Sequence, residues 1–230
     1  MNQQRTTAIV LTRINYGEAD RIITMLTPDS GKLSLMAKGV RKVKSKLAGG
    51  IELFSTSEIS YLPGRGSVST LISARLIRHY PHIVQNIDRT LLCYELLQLL
   101  HKVTEDNPER EYFELLQSTF EALDDTAVPA ELIRVWFLSR LLALGGHAPN
   151  LRTTAVGEKL SPNNRYEFDF DATAMTLRTD GVYGVSEIKL LRLLFAQDSV
   201  LQLAKVSEIE ALTKRCLPLV TMLRQLHLSA

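Results

Sequence analysis

A nine-residue stretch in the N-terminal part of the chain is rich in the side chains best suited to binding phosphate groups. From Lys38 to Lys46 the sequence KGVRKVKSK contains five cations and no acid. Lysine and arginine neutralise phosphates and release the counterions around a nucleic acid, so this composition predicts salt-sensitive binding with little sequence preference. A solvated surface loop is the ordinary alternative, and we favour binding because no acid compensates the run. The cations are Lys38, Arg41, Lys42, Lys44 and Lys46.

The charge of the whole chain, +2, hides two parts of opposite sign. Residues 1–80 hold 12 Lys and Arg against 5 Asp and Glu, a net of +7, and residues 81–230 carry a net of −5. Such an asymmetry indicates a nucleic-acid or membrane surface in the basic part. Four further cations of this part are predicted to join the same phosphate-binding site: Arg13, Arg21, Lys32 and Arg65.

Base stacking requires exposed aromatic side chains, and the basic part has few of them. Its aromatic residues are Tyr16, Phe54, Tyr61 and Tyr80, some of which must be core. We therefore expect contact driven by the nucleic-acid backbone, with duplex as well as single strands.

The residues that must position the basic segment read as strands. Residues 6–78 contain five short stretches of alternating or β-rich character, separated by turns rich in Gly, Pro and Asp. In Gly31–Gly39, three apolar residues alternate with a second set, so one face is apolar and the other can carry charge. The apolar set is Leu33, Leu35 and Ala37, and the second set is Lys32, Ser34, Met36 and Lys38. Five strands with a long basic loop between the third and fourth predict an OB-fold barrel.

From about residue 84 the period becomes helical. One helix reaches the polar stretch TEDN, a second opens at Asn107-Pro108, and a third opens at Pro129 and stops at Gly145-Gly146. Residues 147–184 read as an irregular insert with a hairpin. The predicted fold is α+β: an OB-fold domain at 1–80 and an α-helical domain at 81–230 that holds the insert.

Two more helices follow the insert. Ser186 and Glu187 start the first, which runs through Phe195. For the second, Ser207 and Glu210 have capping-box spacing, and Pro218 predicts an interruption.

The third helix contains a dense apolar stretch that includes Trp136 and is flanked by Arg134 and Arg140. Core packing is the ordinary interpretation. A groove bordered by arginines could also receive an acidic, aromatic peptide tail, which makes these three residues candidates for a partner site.

The sequence gives no support for an enzyme, a metal site or a cofactor. It has no phosphate-binding Gly-rich loop, nucleophile elbow, dinucleotide fingerprint or zincin motif. His79 and His82 have no third ligand at a suitable spacing. Cys93 and Cys216 are far apart and read as buried free thiols. Without a signal peptide or an 18-residue apolar run, we expect a cytoplasmic protein.

Taken as an ordered set, the segment Tyr16–Gly66 resembles the RecO family of bacterial recombination and repair mediators. A strand that begins with Gly-Lys leads into the motif A-K-G-x-R. A basic run with L-x-G-G follows, and then an apolar strand that ends at G-R-G. The segment LLALGGHAPNL resembles the family's stretch before its zinc-finger-like insert. Many relatives carry two C-x-x-C pairs in that insert, and here it has no cysteine, so no structural zinc is expected.

The resemblance implies non-enzymatic work close to the nucleoid. RecO proteins bind single- and double-stranded DNA, anneal complementary strands, and act with RecR to load recombinase on DNA coated by single-strand-binding protein (SSB). In some members the helical domain holds the acidic SSB tail, which would place Arg134 and Arg140 near the tail. An adaptor that docks the SSB tail with only weak DNA affinity is the alternative, and an RNA-binding OB protein is a weaker third one.

Overall fold

A computed structural model describes residues 2–104 and 109–228 of the chain. The chain forms two compact units, Met1–Asp124 and Asp125–Ala230. The predicted helix start at Asn107-Pro108 lies outside the described residues.

The first unit contains a closed barrel of five strands with the neighbour order β1-β2-β3-β5-β4. β1 pairs with β4 to close it, β3 pairs with β5 in parallel, and the other pairs are antiparallel. This is the predicted OB-fold, and the α+β class is confirmed. The strands are β1 (Gln4–Tyr16), β2 (Asp20–Thr27), β3 (Gly31–Ala37), β4 (Ser55–Leu62) and β5 (Val68–His79).

The barrel core follows from the alternation of the strands. Ile23 and Met25 of β2 point inwards beside Leu35 of β3, and all three are 0 % exposed. The 3-10 turn Ala48–Gly50 packs tightly on β5, because a Cβ atom at Gly50 would lie 2.4 Å from the backbone oxygen of Ala74. A side chain therefore has no room at this position.

Three helices complete the first unit: α1 (Pro81–Gln85), α2 (Ile87–Val103) and α3 (Arg110–Asp124). Asn86 caps α2, because its side-chain oxygen accepts a hydrogen bond from the Arg89 amide at 3.1 Å. The helices belong to the same compact unit as the barrel. The functional division at residue 80 stays a prediction.

The second unit holds three helices, α4 (Ala130–Leu144), α5 (Val185–Ala196) and α6 (Ile209–His227). α4 starts after Pro129 and stops before Gly145, as predicted. The start of α6 differs from the prediction: Glu208 is its N-cap residue, at φ 56°, and no side-chain cap forms there. Pro218 does not interrupt α6, so that prediction is wrong.

The insert is an ordered three-stranded sheet of β6 (Asn150–Thr154), β7 (Tyr166–Asp169) and β8 (Ala174–Leu177) in the order β6-β8-β7. β7 and β8 form the predicted hairpin, and β6 adds a parallel strand that the sequence did not reveal. Tyr166 and Phe168 are 1 % and 5 % exposed, so aromatic packing holds this sheet.

Residues 2–104 and 109–228 contain neither a candidate metal centre nor a candidate membrane span. No group of three or more His, Cys, Asp or Glu side chains is arranged to hold a metal ion there. None of the described helices combines the length and the apolar character needed to cross a bilayer.

Candidate nucleic-acid interface

The basic segment, defined as residues 38–46, leaves the end of β3 and leads to a short 3-10 turn at Ala48–Gly50. All five predicted cations of this segment are exposed. Their charges therefore point into solvent, where a phosphate backbone can reach them.

Hydrogen bonds join the basic segment to the turn between β1 and β2. The Gly39 amide donates to the Asp20 carboxylate at 2.6 Å, and the Arg41 amide donates to the Ala19 carbonyl at 2.9 Å. The Arg41 guanidinium also donates to the Gly17 carbonyl at 3.3 Å. Gly39 has φ 63°, a left-handed conformation that suits glycine. These bonds hold the cationic segment against one end of the barrel.

Within the described part of the chain, no carboxylate forms an ion pair with the cations of the basic segment. Other cations of the barrel are paired: Arg75 with Glu58 at 3.1 Å, and Arg78 with Glu121 at 2.6 Å. The pKa of Glu58 lies below its ordinary value, mainly because the carboxylate accepts a hydrogen bond from Arg5. The hydrogen bond from Arg75 also lowers this pKa, and desolvation opposes both. The unneutralised charge of the barrel is therefore concentrated in the basic segment.

Two of the other predicted phosphate contacts lie on the barrel beside polar partners. The Arg13 guanidinium donates to the Glu52 carboxylate at 3.0 Å, and Arg21 donates to the Asn15 side chain at 3.1 Å. Arg65 is exposed in the turn between β4 and β5. Arg21 pairs across the sheet with Ala37, the last residue before the basic segment, so it lies closest to that segment in register.

Lys32, the remaining predicted phosphate contact, forms hydrogen bonds within the protein. Its ammonium donates to the carbonyls of His101 and Thr104 at 2.7 and 2.6 Å, where helix α2 ends. A cation at the carboxyl end of a helix satisfies carbonyls that have no partner inside the helix. We therefore remove Lys32 from the proposed phosphate contacts.

The predicted partner residues lie on helix α4 in the second unit. Trp136 is 0 % exposed, and its indole donates to the Gln197 carbonyl at 2.9 Å, so its ring packs in the core. Arg140 donates to the Phe195 carbonyl at 2.7 Å and to the Asp198 carboxylate at 2.9 Å. Of these three residues, Arg134 has the most exposed side chain, at 29 % against 17 % for Arg140.

A cavity in the second unit was not predicted from the sequence. It has a volume of about 650 Å³, and its lining combines the cations Arg165, Lys189 and Arg215 with apolar side chains of α5 and α6. Arg215 is already paired with Glu187 at 2.7 Å. No carboxylate of the described residues forms an ion pair with Lys189. The residues come from the insert, from two helices and from the segment before α6 that contributes Glu208, so no single stretch of sequence reveals the cavity.

The closed barrel and its exposed cations define an OB-fold protein, a class that binds oligonucleotides and oligosaccharides on one face of the barrel. Two family models match the chain: "Recombination protein O N terminal" over residues 1–80, and "Recombination protein O C terminal" over residues 84–229. The chain belongs to the RecO family of DNA repair proteins.

Individual relatives agree with this assignment. The DNA repair protein RecO of Dehalococcoides mccartyi is 38% identical over 152 residues, which is 66% of this chain and 59% of the relative. That of Syntrophus aciditrophicus is 33% identical over 168 residues, 72% of this chain and 64% of the relative. The matched stretch thus spans less than two thirds of the relatives' own length.

Proposed function

We propose that this chain is a repair mediator that binds single-stranded DNA through the basic segment and speeds the pairing of complementary strands. The observation that carries the proposal is the set of five exposed cations without carboxylate partners at one end of an OB barrel. Membership of a DNA repair family supports the choice of DNA over RNA.

The proposed mechanism needs no covalent step and no cofactor. Two strands repel each other through their phosphates, and cations fixed along one loop lower that repulsion when both strands lie near it. Base pairing then supplies the driving force. Because the backbone of the segment is anchored to the β1–β2 turn at Gly39 and Arg41, less backbone entropy is lost there when DNA binds.

Strand annealing tests the proposal. A variant with Lys42, Lys44 and Lys46 replaced by Ala should lower the slope of log affinity against log salt for single strands by about 2, since each lost contact removes roughly 0.7. It should also slow the annealing of two labelled oligonucleotides. A control with Lys159, Lys205 and Lys214 replaced by Ala removes the same charge from exposed positions of the second unit. Equal slopes of log affinity against log salt for the two variants would contradict the assignment of DNA binding to the basic segment.

The family resemblance also supports protein partners. We propose that the chain acts with RecR to load recombinase on SSB-coated DNA, with residues 81–230 serving protein contacts and residues 1–80 serving DNA. The acidic SSB tail has two places to bind in the second unit: the surface beside Arg134 and Arg140, or the cavity lined by Lys189. The cavity offers cations beside apolar side chains, whereas the surface of α4 offers Arg134 in an ion pair with Glu131 at 3.6 Å.

Titration with an SSB-tail peptide separates the two places. R134A should weaken binding if the tail lies on α4, and K189A should weaken it if the tail enters the cavity. Tail binding by a protein without measurable DNA affinity would favour the adaptor, in which docking of proteins is the main activity. Tighter binding of RNA than of DNA of equal sequence would favour an RNA-binding protein.

A further inference from the structure

The outer face of the barrel bears an apolar row that the basic segment borders. On three adjacent strands, Ile14 pairs with Ile22 and Ile22 pairs with Met36, while Tyr16 lies two residues beyond Ile14 on the same face. We call Ile14, Tyr16, Ile22 and Met36 the outer row. Ile14 is 62% exposed and Tyr16 is 55% exposed.

The register shows that the outer row faces away from the core. The neighbouring pair, Ile23 and Leu35, is 0 % exposed and points into the barrel, and side chains alternate along each strand. Farther along the same outer face, Ile9 and Leu26 also pair, and both are 0 % exposed. Neither residue belongs to the barrel core, and both are buried. The half of the outer face that carries Ile9 and Leu26 is therefore covered by other parts of the protein. The half that carries Ile14 and Tyr16 is open.

Charge around the outer row indicates what covers it. Tyr16 pairs with Asp20 across the β1–β2 hairpin, and the Asp20 carboxylate already accepts the Gly39 amide of the basic segment. Lys38 and Arg41 are exposed beside that anchor, whereas Glu18 is the exposed acid of the turn. A ligand with an anionic backbone and flat apolar groups fits this arrangement, because its phosphates can meet the cations while its flat groups lie on the row.

Among the four aromatic residues of the first 80 positions, Tyr16 is the one whose ring is exposed and can contact a base. The other three aromatic residues of the first 80 positions, Phe54, Tyr61 and Tyr80, are 2%, 4% and 0 % exposed. The sequence alone predicted contact through the DNA backbone, since it could not show which ring is exposed. The structure separates one surface ring from three core rings.

We propose that Tyr16, supported by Ile14, stacks on the bases of single-stranded DNA whose phosphates lie along the basic segment. The proposal rests on the proposed DNA binding and adds base contacts to it. Stacking on an aromatic ring is sequence-tolerant, because every base has a flat face. It also distinguishes single strands from duplex, whose bases are already stacked, so the outer row gives the barrel a preference that phosphate contacts alone cannot give.

Two oligonucleotides of equal length and charge test the proposal: one of thymidines, and one of abasic deoxyribose phosphates. Y16A should bind the thymidine strand roughly fivefold to tenfold more weakly than wild type, the lower part of the range for one stacked base. It should bind the abasic strand as wild type does, with an unchanged salt slope on both. Y16F should behave as wild type. L91A removes a side chain that is 60% exposed on α2, and serves as the control.

The outcomes separate this proposal from the proposed function. Equal binding of the thymidine strand by Y16A and wild type would overturn stacking and leave the phosphate contacts in place. Equal losses on both strands would also overturn stacking, because Tyr16 would then act through the fold or the backbone. Wild type without salt-dependent binding to either strand would overturn the proposed function as well. A wild-type dimer that I14D converts to a monomer would assign the outer row to a second copy of the chain.

Discussion

Replacement of Lys32 by Met should cost stability and leave DNA binding intact. The side chain keeps its length but loses an ammonium that donates to two carbonyls at the end of α2, at 2.7 and 2.6 Å. Hydrogen bonds to charged groups contribute roughly 1.5–3 kcal/mol, and a cation at a helix carboxyl end adds about 0.3–1 kcal/mol. Because water can reach the freed carbonyls at this half-buried position, we expect a loss of about 2 kcal/mol in the free energy of unfolding.

The measurement is urea unfolding together with the salt dependence of single-strand binding. A loss of about 2 kcal/mol lowers Tm by roughly 4–8 °C in a chain of this size. K38M is the matched control, because Lys38 lies one residue beyond the end of β3 and is exposed. It should change stability by less than about 0.5 kcal/mol and lower the salt slope by roughly 0.7.

The two variants should therefore give opposite results in the two assays. A K32M protein with wild-type stability and a reduced salt slope would refute the reasoning, since Lys32 would then contact phosphate as the sequence first indicated. A K38M protein that loses stability would show that the basic segment holds the barrel together.

Three further predictions concern packing and ionisation. Gly50→Ala should destabilise the barrel by about 1–3 kcal/mol, since its Cβ would meet a β5 carbonyl, whereas Gly49→Ala has open space and should be nearly neutral in urea unfolding. Burial raises the pKa of Cys216 to about 12 and that of Cys93 well above its ordinary value, so neither thiol should react with iodoacetamide at pH 8 until the protein unfolds. Burial alone would raise the pKa of Glu187, but backbone hydrogen bonds at the start of α5, together with the hydrogen bond and charge of Arg215, outweigh it and lower the pKa from its ordinary value. The stability contributed by Glu187 is therefore present above the unfolded pKa and lost as pH falls through the folded one. E187Q should be about 1 kcal/mol less stable at pH 7, and acid titrations should show this gap closing as pH falls through the folded pKa of Glu187.

Local patterns predicted the parts of the fold that are decided locally. The alternation in β3 gave its inward face, and Pro129 and Gly145 gave both ends of α4. β6 escaped prediction because its parallel pairing with β8 joins segments about 20 residues apart. Such pairing depends on tertiary contacts that no short window contains.

Pro218 shows how packing overrides a local rule. A proline inside a helix costs about 3 kcal/mol, which predicts a break. In α6 the residues that follow it, Leu219, Val220 and Leu223, are 1%, 0 % and 0 % exposed. Burial of each such side chain contributes roughly 1.5–3 kcal/mol, so the continuous helix is favoured although one hydrogen bond is lost.

In the candidate site, too, the local sequence pattern predicted some features while tertiary packing decided others. Lys32 and Lys38 occupy equivalent positions of one alternating sequence pattern, and the sequence predicted the same role for both. The structure separates them, because one lies where helix α2 ends and the other lies beyond the last strand pair, in solvent. Charge composition therefore located the basic segment, while the use of each cation depends on what the rest of the unit places beside it. The same holds for Tyr16, whose exposure follows from which half of the barrel face is covered rather than from its neighbours in the chain.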